Sequence, residues 1–406
     1  MYINKNSLLL LSAIGIFYSC KQTGEAQTNT QSNSSVETQA PNTDYQPAFK
    51  EQTRAPRMKT ETDLQIDIIA KSIGKPWGMT HLPNGRLLIT DKNGFMQIFT
   101  TNGEFITKIT GFPEVDSQGQ GGLLDVTLDP DFESNRMIYW SFSEPHENGN
   151  LTSVAKGKLA EDEKTVENVN IIFQATPAFN SPLHFGSRIL FDKEGYLFVS
   201  TGERSDIETR PQAQDLSSGL GKIHHIDKDG NPAPGNKYTS EDLAMPYIYT
   251  YGHRNVQGLT FHPETDQLWA AEFGPKGGDE INIIENGKNY GWPIITYGLE
   301  YSGETIGEGI TQKDGMEQPV YYWDPAISPS GITFYNGTVS EWKNNMFLGC
   351  LSGQHIIRLK IKDNKVIGEE RLLENEGERF RDLHQGKEGE LFAITDSGKI
   401  YRIKQK

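Results

Sequence analysis

The chain has 406 residues, enough for one large or two ordinary domains with a substantial core. Its formal net charge of −15 and pI of about 5.1 argue against nucleic acid or anionic membrane as the main partner, because both require a basic surface. Glycine is abundant, at 41 residues, and long helical periodicities are scarce, so the composition favours a turn-rich, all-β protein.

The N-terminus has the features of an export signal. Lys5 precedes the apolar run LLLLSAIGIF, which is too short to span a bilayer but has the length of a signal-peptide core. Ser19 before Cys20 predicts a lipoprotein-type signal over residues 1–20 and a lipid anchor at Cys20, in a periplasmic or outer-membrane-anchored protein. Cleavage by ordinary signal peptidase is the alternative. Residues 21–60 are rich in Gln, Thr, Ser, Asn and Pro, which predicts a disordered linker.

Residues 61–406 repeat one pattern six times. An apolar strand is followed by a polar turn and a second alternating strand, and most copies lead into another strand signal. Six units of roughly 55–60 residues have the size of four-stranded blades and predict an all-β, six-bladed β-propeller with antiparallel blades. A pair of β-sandwiches would not give six matched units, and a β-helix has a shorter period. The copies begin at Trp77, Leu123, Gly186, Gly258, Gly331 and Arg381.

Polar residues stand near the start of successive predicted inner strands. Loops at one end of a propeller channel converge, so these residues are expected to share a pocket. Arginines that converge without local acids indicate an anionic ligand, since a guanidinium matches a carboxylate; pairing of each Arg with its own neighbour, such as Arg381 with Asp382, is the alternative. His184 is a candidate general base, and a structural hydrogen bond is its alternative role. The set comprises Gln120, His184, Arg254 with Asn255, and Arg379 with Arg381.

The segment after Arg254 is rich in oxygen ligands. Gly274 and Pro275 form a turn whose carbonyls can point outward together, and Glu280 and Tyr290 follow. Carbonyls and carboxylates are the donors that calcium prefers, so a calcium site is predicted here; solvated turn carboxylates are the alternative.

The motifs GQGGLLDVTLDPDF, HFGSRILF, YGHRNVQGL, EFGPKGGDEINIIENGKNYGWP and RFRD resemble those of the soluble quinoprotein sugar dehydrogenases. This family comprises aldose sugar and glucose dehydrogenases that use pyrroloquinoline quinone (PQQ). The resemblance covers all six repeats and implies a propeller that oxidises aldoses at C1 to lactones, with PQQ and calcium as cofactors. The electron acceptor, a quinone or a cytochrome, is not identified by it.

The resemblance also implies a role for each candidate residue. His184 matches the base that removes the C1-hydroxyl proton, and Arg254 matches the residue that polarises the quinone oxygen. Gln120, Asn255, Arg379 and Arg381 match cofactor contacts. Gly274 and Pro275 match carbonyl ligands of a calcium ion beside PQQ, and Glu280 and Tyr290 match a second, structural calcium site.

Two positions depart from the family pattern. Glucose-preferring members commonly have Asp before the catalytic His, but here Leu183 stands before His184. In this respect the chain resembles the aldose dehydrogenases of broader specificity. Ser352 stands where a PQQ-binding Lys is usual. The loss of that cation supports an alternative: a non-catalytic propeller that binds carbohydrate or protein and has lost PQQ. A calcium-dependent lactonase is a weaker alternative, because the inner-strand starts offer Gln, His and Arg instead of carboxylates.

Overall fold

A computed structural model describes residues 34–406, and nearly all of its regular structure is β-strand. The described residues contain one short helix, α1 (Phe132–Asn135), and 3₁₀ turns at Arg210–Gln214 and Ser340–Trp342. Within this part of the chain no helix is long and apolar enough to cross a membrane. The strands are β1 (Leu64–Ala70), β2 (Pro76–His81), β3 (Leu87–Asp91), β4 (Phe95–Phe99), β5 (Phe105–Ile109), β6 (Leu123–Leu128), β7 (Met137–His146), β8 (Gly149–Leu159), β9 (Val166–Gln174), β10 (Ile189–Phe191), β11 (Leu197–Ser200), β12 (Lys222–Ile226), β13 (Ile248–Tyr251), β14 (Val256–Phe261), β15 (Leu268–Glu272), β16 (Asp279–Ile284), β17 (Tyr321–Trp323), β18 (Pro329–Phe334), β19 (Met346–Cys350), β20 (Ile356–Lys362), β21 (Lys365–Leu372), β22 (Phe380–Gln385), β23 (Leu391–Thr395) and β24 (Ile400–Gln405).

These strands form six four-stranded antiparallel sheets, which confirms the predicted six-bladed propeller. Five sheets contain consecutive strands: β2 to β5, β6 to β9, β10 to β13, β14 to β17 and β18 to β21. The sixth combines β22, β23 and β24 with β1. Here β1 runs antiparallel to β24, with Ile66 opposite Ile403. The first strand therefore closes the ring against the last, a pairing that the repeat pattern does not predict.

The inner strand of each blade is its first strand after the preceding loop: β2, β6, β10, β14, β18 and β22. Each contacts the next around the ring, and β22 contacts β2. The apolar core lies between adjacent sheets. One cluster joins Leu88 of the first blade to Trp140 of the second, and another joins Trp269 of the fourth to Leu348 of the fifth. Successive residues of a strand point to opposite faces of its blade, and both faces pack against neighbouring blades. This burial of apolar surface holds the ring together.

A buried ionic cluster crosses the central channel. Arg188 donates from Nη1 to Asp125 at 2.9 Å and lies 3.2 Å from Asp382, and its guanidinium lies 4.6 Å from the Trp77 ring. The alternative in which Arg381 pairs with its neighbour Asp382 is therefore wrong, because Asp382 pairs with Arg188 and Arg381 pairs with Asp396. A methyl group added at Gly331 would lie 1.9 Å from the Asp382 carboxylate, so glycine there allows the close approach.

Residues 34–60, named here the N-terminal strap, differ from the disordered linker that their composition predicts. The strap lies along the outermost strands of the fourth and fifth blades. Tyr322 in β17 donates its N–H to the Gln52 carbonyl at 2.9 Å, and Met58 donates its N–H to the Glu369 carbonyl of β21 at the same distance. The Gln52 side chain is fully buried and donates to the Pro319 carbonyl at 2.9 Å.

The strap is ordered for a reason that composition does not reveal. An outer strand presents unpaired backbone N–H and C=O groups, which can pair with any extended segment that runs beside them. The strap satisfies such groups on β17 and β21, so it needs little apolar burial: Val36 and Ala55 are its buried apolar residues. Backbone hydrogen bonding to sheet edges therefore compensates for its polar composition.

Of the two cysteines, only Cys350 lies among the described residues. Cys350 is fully buried in β19 and makes no disulfide, and burial raises the pKa of its thiol well above the usual value, which agrees with an inert core residue. Cys20, the predicted signal over 1–20 and the linker up to residue 33 lie outside the described residues.

Candidate active site

A cavity of about 440 Å³ opens at the channel end where the loops enter the inner strands. Five residues predicted from strand starts line it together, with the Gly274–Pro275 turn. Their convergence follows from the ring: consecutive inner strands run side by side, so residues near the starts of these strands meet at one end. The cavity is lined by Gln120, His184, Arg254, Arg379, Arg381, Gly274, Pro275, Asn42, Phe273, Lys276, Gly277, Tyr301, Ala326, Ser328, Leu351 and Ser352.

His184 is held in one orientation at the buried side of this cavity. Its Nδ1 lies 2.5 Å from Oε1 of Glu203, and its backbone N–H donates to Oε1 of Gln120 at 2.9 Å. Because the carboxylate accepts from Nδ1, the neutral ring carries its proton there and leaves Nε2 as an acceptor. Burial, and then the nearby Arg254, lower the pKa of His184 to about 4, against the raising effect of Glu203. The ring is therefore neutral near pH 7.

Arg254 lies beside His184 and is held by backbone carbonyls. Its Nη1 donates to Gly274 O at 2.6 Å and to Phe273 O at 3.3 Å. Its Nε is buried and has no hydrogen-bond partner among residues 34–406. The Gly274 carbonyl, predicted as a calcium ligand, thus faces a guanidinium here.

Asn255 does not lie on the cavity surface, although the sequence places it next to Arg254. Its Oδ1 accepts from the N–H of Gly186 at 2.9 Å, and the side chain is fully buried. Its Nδ2 is buried without a partner in the described part of the chain. Asn255 therefore stabilises the loop that carries His184 through its bond to Gly186, and its Nδ2 group remains an unpaired donor.

Arg379 and Arg381 share a single carboxylate. Nε of Arg379 and Nε of Arg381 each lie 2.9 Å from Asp396. The expectation of arginines without local acids is wrong for this pair, although the acid is Asp396 and not the neighbouring Asp382. The single negative charge of Asp396 does not balance the three positive charges of Arg254, Arg379 and Arg381. The cavity is therefore cationic, and the anionic ligand stays a prediction.

The remaining predicted metal residues lie at a second, smaller cavity beside the first. Glu280 and Tyr290 line it together with Glu272 and Gly274. Burial, and then the neighbouring Glu272 carboxylate, raise the pKa of Glu280 well above its usual value. The Tyr290 hydroxyl is already used, since it donates to Ile283 O at 2.6 Å. In the described residues no group of three or more His, Cys, Asp or Glu side chains is arranged to hold a metal ion.

Ser352 faces the main cavity, as its predicted equivalence to a cofactor-binding Lys requires. Its hydroxyl lies 2.8 Å from that of Ser328, and both residues line the cavity. Lys276 lines the same cavity and adds a cation that the sequence analysis does not identify. Its position directly after the Gly274–Pro275 turn is the signal that could have indicated it.

Sequence reasoning also misses Glu203, Asp396, Asn42 and Tyr301. Glu203 lies three residues after the end of β11, in the same blade as His184. Its place after a strand end could have indicated a carboxylate close to His184. Asp396 follows Thr395 at the end of β23 in the same way. Asn42 carried no signal, because its position depends on how the strap lies along the blades.

Known proteins are similar to this chain in both architecture and sequence. The Glucose / Sorbosone dehydrogenase family model matches residues 73–402. Aldose sugar dehydrogenase YliI of Escherichia coli (strain K12) is 37% identical over 346 residues, covering 84% of this chain and 92% of that protein. The crystal structure of the soluble aldose sugar dehydrogenase from Escherichia coli in the apo-form has a TM-score of 0.80 at 35% identity, over 85% of this chain and 100% of that one.

A cofactor-bound structure is also similar. The PQQ-bound form of aldose sugar dehydrogenase from Streptomyces coelicolor has a TM-score of 0.70 at 28% identity, over 85% of this chain and 99% of that one. The family match covers most of the chain and includes every predicted site residue. The chain therefore belongs to the glucose/sorbosone dehydrogenase family.

Proposed function

We propose that this protein is a PQQ-dependent aldose sugar dehydrogenase that oxidises aldoses at C1 to lactones, with His184 as the general base. The observation that carries the proposal is the buried His184–Glu203 pair in a cationic cavity. A base must be unprotonated before the reaction, and the pKa of His184, lowered to about 4, keeps it so at neutral pH. The names of the relatives in the same family support the substrate class.

The residues present fit a quinone that carries three carboxylates. Arg254, Arg379 and Arg381 line the cavity with Lys276, against the single Asp396 carboxylate that pairs with Arg379 and Arg381. The unpartnered Nε of Arg254 is a buried donor that a bound acceptor would satisfy. Arg379, Arg381 and Arg254 would hold PQQ, and Gln120 would contact it. When bound, PQQ supplies the electrophilic quinone that accepts the C1 hydride of the sugar.

The protein's own groups perform the proton transfer. The C1 hydroxyl donates its proton to Nε2 of His184, and the resulting imidazolium is stabilised by the Glu203 carboxylate at Nδ1. Glu203 also fixes the ring, because Oε1 accepts from the Ser205 N–H at 2.9 Å and is itself held in place. Burial of His184 excludes water from this pair and keeps its orientation constant.

Calcium is the second proposed cofactor. The Glu272 and Glu280 carboxylates line one small cavity, which Arg254 also lines, and the Glu272 charge contributes to the raised pKa of Glu280. A divalent ion there would relieve the repulsion between the two carboxylates. The Gly274 and Pro275 carbonyls are the proposed ligands of a calcium ion beside PQQ. At that position the Arg254 guanidinium now contacts Gly274, so calcium binding requires this contact to rearrange.

The protein is also proposed to be exported and anchored by a lipid. A lipoprotein-type signal over residues 1–20 and a lipid anchor at Cys20 would place the enzyme in the periplasm or on the outer membrane. A quinone or cytochrome would then accept the electrons. Globomycin sensitivity of processing, followed by mass spectrometry of the mature N-terminus, tests the anchor; an unmodified terminus beyond residue 20 would rule it out.

PQQ titration of the purified apoprotein tests the main proposal. With calcium present, we expect a change in the quinone absorbance that saturates, and dye reduction with a panel of aldoses. Ser352→Lys should tighten PQQ binding by about tenfold or more, since one charged hydrogen bond contributes roughly 1.5–3 kcal/mol. Saturation without turnover on any aldose would contradict the enzymatic function. No absorbance change in either protein would support the non-catalytic alternative, which the family match does not favour.

A further inference from the structure

We infer that Arg204 is a positioning residue for the reaction, which clamps the loop that carries His184 and places a positive charge beside the His184–Glu203 pair. This inference rests on the proposed function. Arg204 is 1% exposed, and the described residues that line the main cavity do not include it. It is therefore placed to act through the base and not on the sugar itself.

The Arg204 side chain contacts residues 181–186, the loop that carries His184, on both sides of the base. Its Nη2 donates to the Ser181 carbonyl, three residues before His184, and to Oδ1 of Asn150 at 2.5 Å. Its guanidinium also lies 3.8 Å from the ring centroid of Phe185, the residue after His184. The Ser181 hydroxyl donates back to the Arg204 carbonyl at 2.6 Å. One buried side chain thus holds the loop both before and after the base.

An unusual backbone conformation lets Glu203 and Arg204 reach the same loop. Successive side chains of an extended strand point to opposite faces, so two neighbours in a strand do not face one loop. Arg204 and Ser205 have φ angles of 72° and 55°, in the left-handed region that residues with a side chain rarely adopt. His184 has a φ of 48°, in the same region. Such conformations persist only where surrounding contacts hold them, and the Arg204 clamp is one of these contacts.

Arg204 is a buried cation that pairs directly with no carboxylate among residues 34–406. Its Nε and Nη1, and Oε2 of Glu203, are buried without hydrogen-bond partners in this part of the chain. Its link to Asp116 is indirect, because Asn150 accepts from Arg204 and donates from Nδ2 to Asp116 at 2.8 Å. Burial lowers the pKa of Arg204 to about 9, against the raising effects of Glu203 and Asp116, so the guanidinium is charged at pH 7. Buried charges without a direct partner are costly and rare, which argues for a role other than packing.

Three charged side chains act on His184 from the elements around it: Arg254 before β14, and Glu203 and Arg204 after β11. Burial lowers the pKa of His184 most and Arg254 lowers it next, whereas Glu203 raises it and Arg204 lowers it further. When His184 accepts a proton, its new charge is attracted by the carboxylate and repelled by both guanidiniums. Without the Arg204 charge, the pKa of His184 should rise above its value of about 4. Arg204 therefore extends to lower pH the range in which the base is free.

Two substitutions separate the clamp from the charge. Arg204→Lys keeps a positive charge at acidic pH but lacks the planar fork that can bond and stack at the same time. Arg204→Met removes the charge and keeps an unbranched side chain. With PQQ and calcium bound, each should lower kcat about ten- to hundredfold, as misplacement of a catalytic group predicts, with a smaller change in KM. Only Arg204→Met should also move the acidic limb of kcat/KM to higher pH, by roughly half a pH unit or more.

Nitrogen NMR of the histidine-labelled apoprotein measures the same pKa without cofactor or sugar. The His184 signal is assigned by its loss in His184→Gln. Its titration midpoint should rise in Arg204→Met and stay near the wild-type value in Arg204→Lys. Arg204→Gln is a second neutral variant that keeps an amide donor; its midpoint should rise as well, and it replaces Arg204→Met if that variant does not fold. Circular dichroism over the same pH range checks that each variant is folded.

Arg136→Met is the matched control. Arg136 has a φ of 56°, donates to the Leu159 and Ala160 carbonyls at 3.0 and 2.9 Å, and has its guanidinium 5.8 Å from the Phe132 ring centroid. It thus repeats the backbone conformation, the carbonyl bonds and the ring contact of Arg204, but it follows α1 and does not line the cavity. Its replacement should leave kcat and the His184 midpoint unchanged.

A wild-type kcat in both Arg204→Lys and Arg204→Met would overturn the positioning role. An unmoved His184 midpoint in Arg204→Met and Arg204→Gln would overturn the electrostatic role, as would an equal shift in Arg136→Met. If the wild-type protein oxidises no aldose at all, the proposed function fails and the positioning role fails with it. The NMR titration still decides in that case whether the Arg204 charge sets the pKa of His184.

Discussion

Two histidine–glutamate pairs occupy similar places in neighbouring blades, and only one of them has the free ring nitrogen that a general base requires. His184 precedes β10 and lies 2.5 Å from Glu203, which follows β11. His253 precedes β14 and lies 3.0 Å from Glu272, which ends β15. All four side chains are buried. The propeller repeat has thus placed the same dyad at the same end of two successive blades.

The pairs differ at the second ring nitrogen. Nε2 of His253 lies 2.9 Å from the Thr250 hydroxyl, and the ring stacks on Tyr290 with centroids 4.6 Å apart. Nε2 of His184 has no hydrogen-bond partner among the described residues, and His184 lines the main cavity. A carboxylate partner is therefore not sufficient to identify a base, because the other nitrogen must also be free and accessible to substrate.

The sharpest test of this comparison is His184→Ala. It should lower kcat/KM by a factor on the order of 10²–10⁴, the usual contribution of a general base. PQQ titration by absorbance should still saturate, which separates loss of the base from loss of the cofactor. A variant that retains full turnover would refute the assignment of His184.

Glu203→Gln should have the next largest effect. His184 must be neutral to accept a proton, so kcat/KM of the wild type should fall as pH drops through about 4, and not near the ordinary histidine value of 6.5. Glu203 raises the pKa of His184, so the Gln variant should move this acidic limb to lower pH. The loss of a charged hydrogen bond to the imidazolium should also lower the plateau roughly tenfold.

A pH profile measured at saturating PQQ distinguishes this role from a structural one. A change in stability alone would lower the amplitude of the profile and leave its midpoint in place. Glu272→Gln is the matched control from the other pair, and its acidic limb should coincide with that of the wild type.

His253→Ala should act mainly on stability. Removal of the ring leaves Oε1 of the buried Glu272 without its histidine partner, at a cost of roughly 1–3 kcal/mol. Chemical denaturation should show this loss, while kcat/KM should decline far less than in His184→Ala. Loss of activity equal to that of His184→Ala, with unchanged stability, would show that the two pairs are not functionally different.

The smallest effect is expected at Glu280, which shares the small cavity with Glu272. Calcium should raise the Tm of the wild-type apoprotein, because an ion would relieve the repulsion between the two carboxylates. Glu280→Gln removes one of the two charges and should abolish most of this rise. A calcium-dependent rise of equal size in the variant would place the stabilising ion elsewhere.

Much of the fold follows from local sequence. Alternating strands and polar turns recur at Trp77, Leu123 and Gly186, and each copy forms a blade because the apolar faces of its strands must be buried against neighbouring blades. The repeat is less informative about its own ends. The pairing of β1 with β24 joins residues more than 300 positions apart, and no local pattern specifies which free edge the first strand will join.

The site divides in the same way. His184, Arg254 and Arg381 all lie near the start of an inner strand, so their convergence could be predicted from the order of the strands. Their partners could not. Asp396 pairs with Arg381 and Glu203 with His184 because neighbouring strand ends meet in space, and the adjacent Asp382 turns instead toward Arg188.

The sequence by itself determined the six blades, the family motifs and the polar residues that precede the inner strands, because these depend on side-chain periodicity and on residue type. Only the tertiary structure decided that the strap is ordered and that Asn42 lies at the cavity rim. Strap order depends on backbone groups of β17 and β21 that any extended segment could satisfy, and side-chain composition does not record them. It also decided which of the two histidines has a free nitrogen, since that depends on Thr250 and Tyr290 reaching His253 and on no residue doing so at His184.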